Sequence, residues 1–270
     1  MKKIDIHMHV PPNDPTLEKY LRIMDKHEVE AALVHATPFE GQGNDDVLRA
    51  VKAHPDRLFG SVHADLRRPI RECNSIVRRY ADEGFRSIKL FPNLGFDPNE
   101  ERFEPFWAVV EKRNLLCLSH CGWLTDKGPF AGQRITSLLS TPLHFECPAR
   151  RFPGIRFIFG HFGGGASYLE TITLVTRLAN CYADTCPGWG RWVFEQRMPG
   201  LGTLDFSKIL YGTDGAGDAY SRQERWWNKT FLSMHRTRED CRRHMYDNAA
   251  ALLGIGQKTR ISERSDHAKT

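Results

Sequence analysis

Eight short runs rich in apolar and β-branched residues alternate with segments of helical period along this 270-residue chain. The runs are Ile4–Val10, Ala31–Pro38, Leu58–Leu66, Ser87–Pro92, Leu115–Gly122, Arg156–Gly163, Cys181–Cys186 and Ile209–Asp214. Between them lie the helical segments Leu17–Val29, Asp45–Ala53, Ile70–Asp82, Phe103–Arg113, Tyr168–Ala179 and Gln223–Met234. In the first of these, Leu17, Tyr20, Leu21 and Met24 are spaced three or four apart along one face, the mark of an amphipathic helix. Strands separated by helices pair in parallel, because each crossover returns the chain to the same end of the sheet. Eight such units over about 250 residues have the size of a closed (β/α)8 TIM barrel. An open doubly wound sheet is the alternative, but no glycine-rich dinucleotide loop follows the first run.

Local signals punctuate this pattern. Asp45 and Asp46 stand where a helix N-terminus favours carboxylates, and Gly84 follows Glu83 as a C-terminal stop. Residues 135–155 and 187–200 have no clear period. No repeat or linker divides the chain, so residues 1–256 are expected to form one domain. The polar run 257–270 is expected to be a disordered tail.

Composition excludes several classes of function. Lys and Arg number 38 against 33 Asp and Glu, a net +5, and the excess gathers at Arg67, Arg68, Arg71, Arg78, Arg79 and residues 236–243. These read as solvated helix faces, and no nucleic-acid motif accompanies them. The seven cysteines are scattered, odd in number and without CxxC spacing, which argues against a disulfide framework or a thiolate zinc site. No leader segment is expected ahead of the first run, and no apolar run reaches the ~20 residues a bilayer span requires. The expectation is a cytoplasmic protein with neither membrane nor nucleic-acid partner.

Chemistry-bearing side chains collect at the C-terminal ends of the runs, where barrel enzymes place their active sites. His7 and His9 share a face of the first strand if side chains alternate. His120 ends the fifth run, His161 the sixth and Asp214 the eighth. Such nitrogen and oxygen donors suit a catalytic divalent metal, most readily Zn²⁺, with Mn²⁺ or Fe²⁺ also compatible. Each has an ordinary structural reading as well: a hydrogen-bonded core histidine, a turn before glycines, a capping aspartate. Their recurrence at strand ends is what favours a shared site. His35 and His63 end the second and third strands, where a structural role is the simpler reading. Asp184 and Thr185 end the seventh, where they either orient substrate or bond within the loop.

Taken in order, these motifs resemble the amidohydrolase superfamily, in its amidohydrolase-related (amidohydrolase-2) branch, which includes aminocarboxymuconate-semialdehyde decarboxylase-like proteins. The matching pieces are Ile4-Asp5-Ile6-His7-Met8-His9, Gly84-Phe85-Arg86-Ser87-Ile88-Lys89-Leu90 and Leu118-Ser119-His120-Cys121-Gly122. Phe159-Gly160-His161-Phe162-Gly163-Gly164-Gly165, Ile209-Leu210-Tyr211-Gly212-Thr213-Asp214 and Asp247-Asn248-Ala249-Ala250-Ala251-Leu252-Leu253-Gly254 complete the set. The resemblance implies a distorted (β/α)8 barrel with one divalent metal held by His7, His9, His120 and Asp214. It implies His161 and Asp214 as catalytic groups. Lys89 falls where binuclear relatives bridge two metals; here a carboxylate partner or substrate-anion contact is the preferred reading.

Two departures from the family pattern alter the pocket rim. Phe91 replaces a histidine often found two residues beyond the lysine, and Gly215-Ala216-Gly217-Asp218 replaces a proline close after the aspartate. Lys89, Phe91, Trp123, His63 and Arg134 are the candidate substrate contacts. The implied activity is hydrolysis of a small lactone, amide or ester by metal-activated water. Non-oxidative decarboxylation of an aromatic or unsaturated acid is the alternative, and a non-catalytic binding barrel a remote one. By analogy with other barrels, a homodimer is the expected assembly.

Overall fold

The computed structural model describes residues 1–9, 17–37, 43–124, 132, 134–186, 189–215 and 220–256. The expected tail at 257–270 lies outside the described residues, as do parts of the loops after the first, second, fifth, seventh and eighth strands. Eight strands run in sequence order, each parallel to the next: β1 Lys3–His9, β2 Val29–His35, β3 Leu58–His63, β4 Ser87–Leu90, β5 Leu116–Ser119, β6 Arg156–Phe159, β7 Cys181–Asp184 and β8 Ile209–Leu210. The eight-unit reading therefore holds, and the doubly wound alternative does not, since that fold requires a reversal of strand order.

The sheet closes on itself at its shortest strand. Ile6 N–H donates to the Tyr211 carbonyl at 3.0 Å, and Asp214 N–H to the His7 carbonyl at 2.7 Å, so two backbone bonds join β1 to the segment following β8. Ile4 and Ile6 of β1 pack in one buried cluster with Leu116 and Leu118 of β5, Ile158 of β6 and Leu210 of β8. Strands on opposite sides of a barrel share contacts only through its interior, so this cluster is the filling of the barrel. Ala249, Ala250 and Leu253 of the helix Asn248–Leu253 join the same cluster. A second, larger cluster, including Met8, Val34, Val62, Ile88, Phe157 and Tyr220, lies between the strands and the surrounding helices.

The helices begin and end where the chain's chemistry directs. The first runs Glu18–Lys26 rather than to Val29, because Glu28 takes φ 57° and Val29 already starts β2. Asp46 receives the Gly43 N–H at 2.8 Å in a capping box before the helix Asn44–Ala53. Gly84 follows the helix Ile70–Asp82 with φ 91°. No described helix is long and apolar enough to cross a membrane.

Candidate metal centre

β1 carries a one-residue irregularity that decides where its histidines point. Asp5 pairs with Ala32 of β2 but Met8 with Val34, so three steps of β1 oppose two of β2. Such a bulge re-aims side chains beyond it. Ile4 and Ile6 fill the barrel below it, Met8 faces the helices above it, and His7 and His9 both turn to the mouth. Their rings lie 5.4 Å apart, and the His7 ring is 5.2 Å from that of His161, across the barrel. The shared face read from the spacing is therefore correct for His7 and His9, while the strand as a whole does not alternate strictly.

Asp214 follows β8 in a left-handed turn, φ 55°, continued by Gly215 at φ 87°. Its N–H bond to the His7 carbonyl holds the turn against β1. This brings Asp214 Oδ1 to 3.2 Å from His9 Nε2 and 3.4 Å from His7 Nε2. Asp214 is 38% exposed and His7 is fully buried, so the cluster is closed beneath and open to solvent above.

The outer bonds of both rings fix which nitrogen faces the cluster. His7 Nδ1 lies 2.8 Å from Asp184 Oδ2, and His9 Nδ1 is 3.2 Å from the His35 carbonyl. Each Nδ1 therefore carries the donated proton, and each Nε2 lone pair confronts the Asp214 carboxylate. Three electron-rich atoms at this spacing call for positive charge, part of which Lys89 Nζ supplies at 2.7 Å from His7 Nε2. The two carboxylate–imidazole separations, 3.2 and 3.4 Å, are those of neighbouring ligands around an ion bound at about 2.0–2.2 Å, and all three atoms lie within 4.8 Å of one another. The donor set thus fits a divalent metal.

Charge and burial work in the same direction. Burial, reinforced by the positive charge of Lys89, lowers His7 to about 4 against the opposing pull of Asp184, so its ring is neutral at physiological pH. Burial alone would raise the Asp214 carboxyl, but when a proton lies between His9 Nε2 and Asp214 that hydrogen bond, with His161 and His7 nearby, outweighs it and holds Asp214 well below the usual range. Asp184 is likewise held ionised by His7 despite complete burial. Lys89 is fully buried with Nζ 2.7 Å from His7 Nε2. Burial lowers its pKa, and Asp214 and Asp184 oppose that shift. The carboxylate-partner reading of Lys89 is consistent with these fields, although its direct contact is an imidazole.

His7, Asp184 and Cys186 form a second close group, wholly buried, with Cys186 Sγ 2.8 Å from His7 Nδ1. Burial and the Asp184 charge push the Cys186 thiol well above its ordinary value, so without a bound cation it stays protonated. This group supports His7 from behind.

The other expected residues take distinct places. His120 stands outside the His7–His9–Asp214 cluster. Its Nε2 is 3.3 Å from the Trp123 carbonyl, its ring stacks on Phe91, and it lies 4.8 Å from the His161 ring. Burial, with His161 and Lys89 nearby, keeps it neutral. His161 sits in a left-handed turn, φ 55°, its N–H bound to Asp184 Oδ1 at 2.8 Å. Its Nε2 is buried without a hydrogen-bond partner among the described residues. The glycines after it permit a close approach of two loops: a Cβ on Gly164 would lie 2.3 Å from Gly122 Cα.

His63 meets the edge of Phe91 and bonds the Lys89 carbonyl through Nδ1. His35 donates from Nε2 to the Ile6 carbonyl, the structural role anticipated for it. Trp123 is 72% exposed, beside a groove that it lines with Gly164, Gly165 and Trp192. Arg134 is exposed in a different groove, with Arg67 and Leu94, that includes none of the histidines. The spacing alone missed Asp184 as the partner of both His7 and His161. Its position at the end of β7 was the available signal.

A cluster of side chains able to hold a metal at the C-terminal mouth of a parallel eight-stranded barrel is an architecture found among metal-dependent enzymes. The chain belongs to the amidohydrolase family whose model, amidohydrolase-2, matches residues 4–255. Its fold resembles a 2,6-dihydroxybenzoate decarboxylase solved with 2,6-dihydroxybenzoate, at TM-score 0.69 and 16% identity over 94% of this chain and 99% of that one. It also resembles a dihydroxybenzoic acid decarboxylase from Polaromonas sp. JS666 with bound manganese and 2-nitroresorcinol (TM-score 0.69, 16% identity, 97% and 99% covered). A protein from Pseudomonas putida assigned as a 2-pyrone-4,6-dicarboxylic acid hydrolase is similar too, at TM-score 0.65 and 16% identity, with 95% and 99% covered. No curated protein matches the sequence.

Proposed function

We propose that this chain is a metal-dependent hydrolase of a small lactone, amide or ester. The observation that carries the reading is the placement of Asp214, ionised and partly solvent-exposed, against the Nε2 atoms of His7 and His9. His7, His9 and Asp214 would hold the cation, with His120 the further ligand implied by the family pattern. Zn²⁺ suits two imidazoles and a carboxylate, and Mn²⁺, present in the Polaromonas neighbour, suits them as well. When bound, such a cation supplies Lewis acidity and makes water a nucleophile at neutral pH.

The chain's own residues supply the rest. Asp214 is in the form that accepts a proton from water and can return it to the leaving group. His161 Nε2, desolvated and unpaired, can donate to the carbonyl oxygen as charge develops there. Asp184 holds His7 and the His161 turn in one frame.

Decarboxylation of an aromatic or unsaturated acid is the second reading. The unpaired His161 Nε2 serves this reading as well, as a group able to deliver a proton to carbon, and decarboxylases stand among the structural neighbours. Isotope labelling separates the two. Hydrolysis places one solvent ¹⁸O in the product, whereas decarboxylation releases CO₂ and places solvent deuterium on carbon. A metal-loaded protein that releases CO₂ without incorporating ¹⁸O would overturn the hydrolase assignment.

A further inference from the structure

Asp5 lies in the first motif but outside the metal cluster, and it is completely buried. It precedes the β1 bulge and remains in register with Ala32, on the side of the strand facing the helices. Both carboxylate oxygens are fully engaged. Oδ1 accepts the backbone N–H groups of His7 and Thr213, each at 3.1 Å. Oδ2 accepts the Thr213 hydroxyl, and the Tyr220 hydroxyl at 2.7 Å. Tyr220 in turn meets the Tyr20 hydroxyl at 2.8 Å.

The two amides held by Oδ1 belong to the two segments that carry the cluster. His7 is itself a member, and Thr213 immediately precedes Asp214. The bond from Asp5 to the N–H two residues onward stabilises the local turn, which here is the bulge that aims His7 at the barrel mouth. The bond to Thr213 ties the segment following β8 to β1 at the seam that, among the described residues, two backbone bonds close. Tyr220 and Tyr20 extend the tie to the helices Tyr220–Ser233 and Glu18–Lys26, which flank that seam.

We propose that Asp5 is a positioning residue: one buried carboxylate sets the distance and register between His7 and Asp214. This rests on the reading that His7, His9 and Asp214 hold a divalent metal. Ligand geometry must hold within about 0.5 Å for a site to function, so a change in the tie is felt first in metal affinity. Asn at position 5 keeps the shape but replaces one acceptor oxygen by a donor, which confronts either the two amides or the two hydroxyls.

The test is equilibrium competition of Zn²⁺ and of Mn²⁺ against a chromogenic chelator, with the full chain and Asp5→Asn. The d–d spectrum of each Co²⁺-substituted protein is recorded alongside. Affinity weakened tenfold or more with an altered Co²⁺ spectrum, in a folded variant, supports the proposal. Affinity within twofold of wild type and an unchanged spectrum overturn it, even if the melting temperature falls, because Asp5 would then serve the fold alone. If Asp5→Asn does not fold, the double variant Thr213→Val, Tyr220→Phe removes both hydroxyl donors and is read by the same two criteria. A wild-type chain that binds none of these metals overturns the metal reading itself, and this inference with it. Tight wild-type binding with an indifferent variant sinks the Asp5 role alone.

Discussion

His7 Nδ1 and Asp184 Oδ2 lie 2.8 Å apart at a point where neither residue has any exposed surface. The second oxygen of the same carboxylate takes the His161 N–H at 2.8 Å. One side chain on β7 therefore fixes the tautomer of a residue on β1 and the backbone of a turn after β6. Outer partners of metal-ligating histidines commonly act this way, by orienting the ring and raising its basicity.

Replacing Asp184 by Asn should cost metal affinity rather than fold. An amide N–H facing His7 Nδ1 would favour the opposite tautomer, with the Nε2 lone pair lost to the cluster. Chelator competition is expected to show about 10–100-fold weaker binding. Unchanged affinity would mean the tautomer is set elsewhere.

Asp214→Asn should retain the fold and lower kcat by about 10²–10⁴-fold, the usual contribution of a positioned general base. Circular dichroism checks the first half and steady-state kinetics the second. Near-normal turnover would remove Asp214 from the proton path.

Removal of divalent cations with a chelator followed by gel filtration should abolish turnover, and stoichiometric Zn²⁺ or Mn²⁺ should restore it. Elemental analysis of the restored protein should give about one ion per chain, as expected for a single mononuclear site. Full activity in cation-free protein would contradict the proposed chemistry.

Acid should destabilise the barrel through buried neutral histidines. His244 is fully buried, with Nε2 2.7 Å from Thr185 Oγ1, and burial lowers its pKa from 6.5 to about 3. A folded-state value below the unfolded one means that the unfolded chain binds the extra proton. The stabilisation is therefore complete above about pH 6.5 and is lost as pH falls towards 3. Between pH 7 and pH 5 this group alone should cost about 2 kcal/mol. Urea midpoints of wild type and His244→Gln measure it: the loss over that interval should be smaller in the variant by that amount. Identical slopes would show that His244 charges without unfolding.

Gly164→Ala should be disruptive out of proportion to one methyl group. The added carbon would approach Gly122 Cα to 2.3 Å, and position 164 has φ 71°. Clash and left-handed strain together suggest a loss of about 3 kcal/mol or more. A denaturation midpoint like that of wild type would show that the two loops can part.

Much of this molecule is legible in one dimension. The alternation of β-rich and helix-period segments determined the barrel, because parallel strands need crossovers and eight such units close into a barrel. It also placed His7, His9 and Asp214 at strand ends. Sequence position could not state which strand-end groups meet. His120 and His161 end neighbouring strands and pair with each other, while Asp214, more than 200 residues from His7, joins the β1 histidines, because barrel closure makes the last strand a neighbour of the first. Strict alternation also puts Asp5 on the same face as His7. Only the tertiary structure, through a one-residue bulge and the hydrogen bonds crossing the seam, puts His7 at the mouth and Asp5 behind it. The bulge is held by Thr213 across the seam and by Tyr220 on a flanking helix, and both lie far along the chain from the residues they bend.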